Sequence, residues 1–125
     1  MAAEMERMPV KATPFRGPGR LEMWELTAGT ARAEVAPSRG GLVTRFSVDG
    51  DEVLFLDPAT LVDRTQNVRG GIPVLFPIAG ALDGDQFEHA GRTHVMRQHG
   101  LARQAAFEVI SVGQAALTME WKSNP

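Results

Sequence analysis

The sequence predicts an all-β protein, specifically an antiparallel β-sandwich, on three observations. Short runs of strand-forming residues recur from about residue 20 onward. Gly, Asp and Pro divide these runs at close intervals, as hairpin turns do. No sustained apolar repeat of about 3.6 residues appears, so long helices and a parallel βαβ arrangement are disfavoured.

Taken in order, residues 1–19 read as a flexible leader, because Pro9, Pro14, Gly17, Pro18 and Gly19 interrupt regular structure. Residues 20–125 then read as one domain. Strands are expected at Leu21–Thr27, Ala31–Ala36, Leu42–Val48, Glu52–Leu56, Phe87–His89, Thr93–Arg97, Ala106–Val112 and Ala115–Trp121. In Leu42–Val48, Val43, Arg45 and Ser47 alternate with Leu42, Thr44, Phe46 and Val48, the pattern of a half-buried strand. Asp49-Gly50-Asp51, Ala90-Gly91 and Gly113-Gln114 are hairpin signals. One short helix is expected at Ala59–Val62, behind Pro58. The apolar run Val74–Gly80 reads as a buried strand or core loop, a rigid wall beneath whatever its flanking loops bind.

Composition removes several function classes. With 125 residues and 43% apolar content, one domain with a real core is expected. A net charge of −2 lacks the basic excess of a nucleic-acid partner. The absence of cysteine excludes disulfides and thiolate metal sites, and it suits a cytoplasmic protein. The first 20 residues contain no apolar signal segment. The longest apolar run, Ile72–Ala79, is far shorter than the roughly 20 residues of a membrane helix, so no membrane partner is expected.

Two segments are the main candidates for chemistry. In Arg69-Gly70-Gly71-Ile72-Pro73, paired glycines allow positive φ or close backbone approach, and Pro73 fixes the exit. An arginine beside such a turn can present a planar fork of donors to an anion. The plainer reading is a surface loop with a solvated arginine. In His99-Gly100-Leu101-Ala102-Arg103, imidazole and guanidinium lie close in sequence. That pairing suits polyhydroxyl or phosphate recognition, since His donates or accepts and Arg donates in pairs. Here the plainer reading is a histidine bonded to backbone.

His89, His94 and His99 recur every five residues and invite a metal reading. An odd spacing turns successive strand residues to opposite faces, and a turn at Ala90-Gly91 can repair this for one pair at most. No metal site is therefore expected. Asp57, Asp63, Asp83 and Asp85 fall where aspartate is an ordinary turn residue. Trp24 and Trp121 read as core or edge packing, with sugar stacking as the alternative.

In order, Arg39-Gly40-Gly41-Leu42-Val43-Thr44, Gly50, Glu52-Val53-Leu54-Phe55, Arg69-Gly70-Gly71-Ile72-Pro73-Val74-Leu75-Phe76-Pro77, Gly91, His99-Gly100-Leu101-Ala102-Arg103 and Phe107 resemble the aldose 1-epimerase (galactose mutarotase-like) superfamily. The likeness leans to its hexose-6-phosphate 1-epimerase branch and runs from about residue 21 to the end. It implies the large β-sandwich of that superfamily, of which this chain would be the N-terminal part. It also implies interconversion of α and β anomers of an aldose or hexose 6-phosphate, without metal or organic cofactor. Arg69 and Arg103 would hold the phosphate and His99 would contact sugar oxygens. Ring opening needs a base at the anomeric hydroxyl and an acid at the ring oxygen. The family's histidine and glutamate for these steps lie downstream of the His99–Arg103 segment and have no match before Pro125. Ala81-Leu82 is a second departure, since related epimerases carry an arginine before that leucine.

Three readings follow. The first is an epimerase whose acid and base lie outside these residues, leaving the 125-residue chain inactive alone. The second is a non-catalytic module that binds a sugar or sugar phosphate. The third is a structural sandwich with no ligand. A partial sandwich leaves strand edges and an apolar face uncovered, so self-association is expected as well.

Overall fold

The computed structural model of the protein describes residues 9–123. Strands β1 (Val10–Arg16), β2 (Glu22–Ala28), β3 (Ala31–Ala36), β4 (Leu42–Val48) and the short β5 (Asp51–Glu52) pair in that order as one antiparallel sheet. Two further antiparallel hairpins are β6 (Gln86–His89) with β7 (Arg92–Val95), and β8 (Glu108–Gly113) with β9 (Ala116–Glu120). One short helix, α1, spans Pro58–Val62. The fold is all-β and antiparallel, and Ala31–Ala36 and Leu42–Val48 are strands with the expected bounds. The turns at Asp49-Gly50 and Ala90-Gly91 fall where expected, and the third falls one residue later than expected, at Gln114-Ala115, because Gly113 is the last residue of β8. At Asp49-Gly50 both residues take positive φ, 53° and 84°, the backbone of a tight turn matched to strand twist.

Three sequence expectations need correction. Residues 10–16 are not a loose leader but an edge strand, with Pro14 in register with Trp24. Proline lacks an N–H, and an edge strand has one side where none is needed. Residues 1–8 of the expected leader lie outside the described residues. The expected strand Glu52–Leu56 shrinks to two residues, followed by an isolated bridge between Leu56 and Gly70. The run Val74–Gly80 is neither strand nor buried wall: Phe76 is 59% exposed and Val74 38%. Pro73 and Pro77 supply no N–H for a ladder, and Phe76 bridges Gly100 alone.

Register sorts the five-stranded sheet into two unlike faces, because directly paired antiparallel residues share a face. One face carries the rows Val10–Ala28–Ala31–Val48 and Ala12–Leu26–Ala33–Phe46, which are apolar throughout. Val10, Phe46 and Val48 on it remain exposed. The β8–β9 hairpin comes close to β1, and Trp24, Phe107 and Val109 line one hollow. The other face carries Lys11–Thr27–Arg32–Ser47 and Thr13–Glu25–Glu34–Arg45, where Arg45 pairs with Glu34 at 3.6 Å and Arg32 pairs with Glu25. At its far end this face becomes the core. Met23, Ala36, Leu42 and Leu61 are buried there, with Phe15, Leu21, Leu56 and Val68 packed around them. Helix α1 contributes Leu61, and Asp57 starts the helix by accepting the Ala59 N–H at 3.1 Å.

Glu52 explains why β5 is short. Its Oε2 accepts the backbone N–H groups of Phe46 at 3.0 Å and Leu54 at 3.1 Å. A side chain thus occupies donors that a longer strand would engage. These two bonds lower the Glu52 pKa below the ordinary glutamate value, the Leu54 bond most. A carboxyl with a lowered folded-state pKa stabilises the fold above its unfolded value, and the contribution fades as pH falls through the lowered one. Glu52→Gln is therefore expected to lower the urea midpoint at pH 7 and to flatten the stability change between about pH 5 and pH 3. Equal pH profiles for the two proteins would remove this role.

Candidate functional site

Three glycine-bearing segments dock on other parts of the chain through backbone and bring the Arg39 and Arg103 segments together. Gly71 donates to the Phe55 carbonyl at 2.8 Å, and Ile72 exchanges bonds with Val43 at 2.8 and 3.2 Å. Gly70 and Gly71 have φ of 108° and 71°, and a Cβ on either would overlap backbone, of Phe55 and of Val43. Gly40, at φ 75°, lies against the Arg103 backbone, and its N–H donates to the Ala105 carbonyl at 2.8 Å. Leu101 and Ala102 both donate to the Phe76 carbonyl, at 2.8 and 3.1 Å.

These contacts frame a cleft of about 330 Å³. Arg39, Arg64, Arg97 and Arg103 line it, together with Gln66, Asn67 and Gln104. No carboxylate and no histidine of the described residues lines it. Four guanidinium groups with amide side chains between them form a donor-rich wall that suits a phosphate beside hydroxyl groups.

Each side chain is held differently. Arg39 Nη2 donates to the carbonyls of Thr60 at 3.1 Å, Asp63 at 3.3 Å and Gln66 at 2.9 Å. It thereby binds carbonyls at the end of α1 and in the following turn, where the Asp63 carbonyl also accepts the Gln66 N–H at 3.1 Å. Burial, and then the neighbouring Arg64, lower its pKa, while Asp63 acts in the opposite direction. Asp63 orders the segment that carries Arg64. Its Oδ1 accepts from Thr65 N at 2.9 Å and Thr65 Oγ1 at 2.6 Å, and its Oδ2 accepts from Gln66 Nε2 at 2.7 Å. These bonds hold its carboxyl below the usual aspartate range. Gln104 donates to Asn67 Oδ1 at 3.2 Å and closes one side. The Nε atoms of Arg39 and Arg103 are buried without an acceptor among the described residues.

Of the residues singled out from sequence, Arg103 lies in this cleft. Arg69 does not line it, and its side chain is exposed. Its backbone carries structure, donating from N–H to Thr60 Oγ1 at 2.9 Å and accepting at O from Asp57 N–H at 2.8 Å. His99 also stands outside the lining. Its φ is 71°, and its Nδ1 bonds the Ala79 carbonyl. A carbonyl only accepts, so Nδ1 donates in this contact. The β6–β7 turn does put one histidine pair on a common face, because His94 opposes Phe87 and stacks on it at 5.0 Å, and His89 lies two residues further along that face. No group of three or more His, Cys, Asp or Glu that could hold a metal is found among the described residues. None of their helices is long and apolar enough to cross a membrane.

Sequence reasoning missed Arg39, Arg64 and Arg97 as partners of Arg103. One signal was available: Arg39-Gly40-Gly41 repeats the triplet Arg69-Gly70-Gly71. A second was the basic composition, since only Lys11 and Lys122 among 13 basic residues are lysine.

No protein-family profile matches the chain. Among solved structures, the Slr1438 protein of Synechocystis sp. PCC 6803 is similar, with 44% sequence identity and a TM-score of 0.71 over 78% of this chain. The chain spans about a third of that protein's length, 34%.

Proposed function

We propose that this chain supplies the substrate-gripping part of an isomerase that interconverts α and β anomers of an aldose or hexose 6-phosphate. The observation that carries the reading is the cleft of Arg39, Arg64, Arg97 and Arg103, which no carboxylate of the described residues lines. The resemblance to aldose 1-epimerases agrees with it, because Arg103 belongs to the His99–Arg103 segment that carries that likeness. In this reading Arg103, Arg64 and Arg97 hold the phosphate through charge-assisted bonds, and Gln66, Asn67 and Gln104 face the sugar hydroxyls. Arg39 sets the cleft floor. No metal or organic cofactor takes part, and the partner is a small sugar or sugar phosphate in the cytoplasm. The proton donor and acceptor for ring opening are assigned to family positions without a match in these residues. The apolar rows of the five-stranded sheet would support self-association or the second layer of a sandwich.

A second reading is favoured by a specific observation: no histidine or carboxylate of the described residues lines the cleft. The chain would then bind a sugar phosphate without turning it over. Calorimetry with glucose and glucose 6-phosphate, beside two-dimensional NMR exchange between anomers, tests both. Glucose 6-phosphate is expected to bind more tightly than glucose. Arg103→Ala is expected to weaken it by roughly 10- to 100-fold, the value of one hydrogen-bonded charge pair. Arg69→Ala, outside the lining, is expected to have the smaller effect. Equal binding by the parent and Arg103→Ala would defeat the reading. Anomer exchange above the spontaneous rate would decide for the enzyme over the binding module.

A further inference from the structure

A second hollow of about 270 Å³ lies beyond Arg64, lined among others by Arg16, Arg20, Glu22, Ser38 and Arg64. Arg64 is thus common to both clefts. The hollow is built rather than incidental. The turn Pro18–Arg20 closes through Gly17 N to the Leu21 carbonyl at 2.8 Å and Leu21 N to the Pro18 carbonyl at 3.1 Å. It packs against α1 so closely that a Cβ on Gly19 would meet Val62 Cγ1 at 3.2 Å. Arg20 is held there with φ 63°, a conformation that costs a non-glycine residue energy and is kept where the surroundings impose it. Arg16 is aimed by Glu22 at 3.2 Å and by a bond from its Nη1 to the Arg20 carbonyl at 3.4 Å. Among the described residues one carboxylate and three arginines line the hollow, so positive charge is left over. Ser38 Oγ at the same wall is buried without a hydrogen-bond partner among the described residues.

We propose that Arg16, Arg20 and Arg64 form a second anion subsite, joined to the arginine cleft through Arg64, and that the combined surface takes a ligand carrying two phosphoryl groups. This rests on the first cleft being an anion site. Each subsite presents guanidinium donors that suit tetrahedral oxyanions. A ligand that reaches both subsites gains the advantage of linkage, since its second group binds from a high local concentration. Separate phosphates would instead compete for Arg64.

Linear tripolyphosphate and orthophosphate, titrated by calorimetry at matched ionic strength against the full chain, test this. Tripolyphosphate is expected to bind at least about tenfold more tightly. Arg20→Gly relaxes the positive φ and removes the guanidinium, and Arg20→Gln removes the charge alone. Both are expected to abolish the tripolyphosphate advantage and to spare orthophosphate binding. Arg64→Gln should weaken both ligands. Arg92→Ala, on the β6–β7 hairpin and in neither cleft, controls for loss of one charge and should change neither. Retention of the advantage in both Arg20 variants, or its equal loss in Arg92→Ala, overturns the second subsite. Absence of any advantage while glucose 6-phosphate still responds to Arg103→Ala overturns it and spares the proposed function. Failure of Arg103→Ala to affect glucose 6-phosphate removes the proposed function itself.

Discussion

Gly40→Ala is expected to cost about 3 kcal/mol and to abolish anion binding together with it. Two terms add. An L-residue at φ 75° is strained by roughly 1 kcal/mol. The new methyl would also meet Arg103 Cα and carbonyl carbon at 2.7 Å. Those atoms are backbone and cannot swing aside as a long side chain does. Either the His99–Arg103 segment lifts away, carrying Arg103 out of the cleft, or the turn at Arg39–Gly41 opens. Gly84→Ala is the comparison, because Gly84 has φ 62° and nothing within 4 Å of the added methyl. It should lose roughly the conformational part alone, about 1 kcal/mol. Urea melts of both variants decide the matter, and equal losses would show that the close approach to Arg103 does not constrain the fold.

Arg39→Ala is the second large effect, about 2–3 kcal/mol, the upper part of the range for a hydrogen bond to a charged group. One nitrogen of Arg39 serves the carbonyls of Thr60, Asp63 and Gln66. Its loss frees the end of α1 and the turn that presents Arg64. Both anion subsites should weaken, even though the deleted group stands at the floor of one. Arg39→Lys separates support from recognition, because an ammonium carries three donors on one nitrogen. It is expected to recover most of the stability. If the lysine variant is as unstable as the alanine variant, the three carbonyl contacts are not what Arg39 contributes.

The parts legible in the sequence are those decided by neighbours along the chain. Asp49-Gly50 and Ala90-Gly91 announce their hairpins because turn backbone depends on two residues. Pro58 announces α1 for the same reason, whereas the capping role of Asp57 does not show in the sequence reading of it as a turn residue. The strand at residues 10–16 is hidden in the sequence by its prolines, because Pro14 is tolerated only where a strand sits at an edge, and edge position is set by tertiary pairing. Val74–Gly80 departs from expectation in the other direction: its composition is that of a core, but Pro73 and Pro77 keep it out of any ladder. In the site, Arg103 was legible from its own segment. Arg64 and Arg97 were not, since neither sits in a local pattern and each reaches the cleft through contacts between segments distant in sequence.

The glycine contacts at Gly40, Gly70 and Gly100 have a consequence for how this surface can change over time. A Cβ at each would overlap the backbone of Arg103, Phe55 or Phe76. Main chain therefore rests directly on main chain, and the spacing of the segments is set by atoms every amino acid shares. Such a frame is indifferent to the side chains projecting from it. Arg64, Arg97 or Gln104 could be exchanged one at a time with little loss of the frame, while each exchange redraws what the cleft accepts. The scaffold and its selectivity can thus drift independently, and a new preference among anions is within reach of single substitutions at these rim positions.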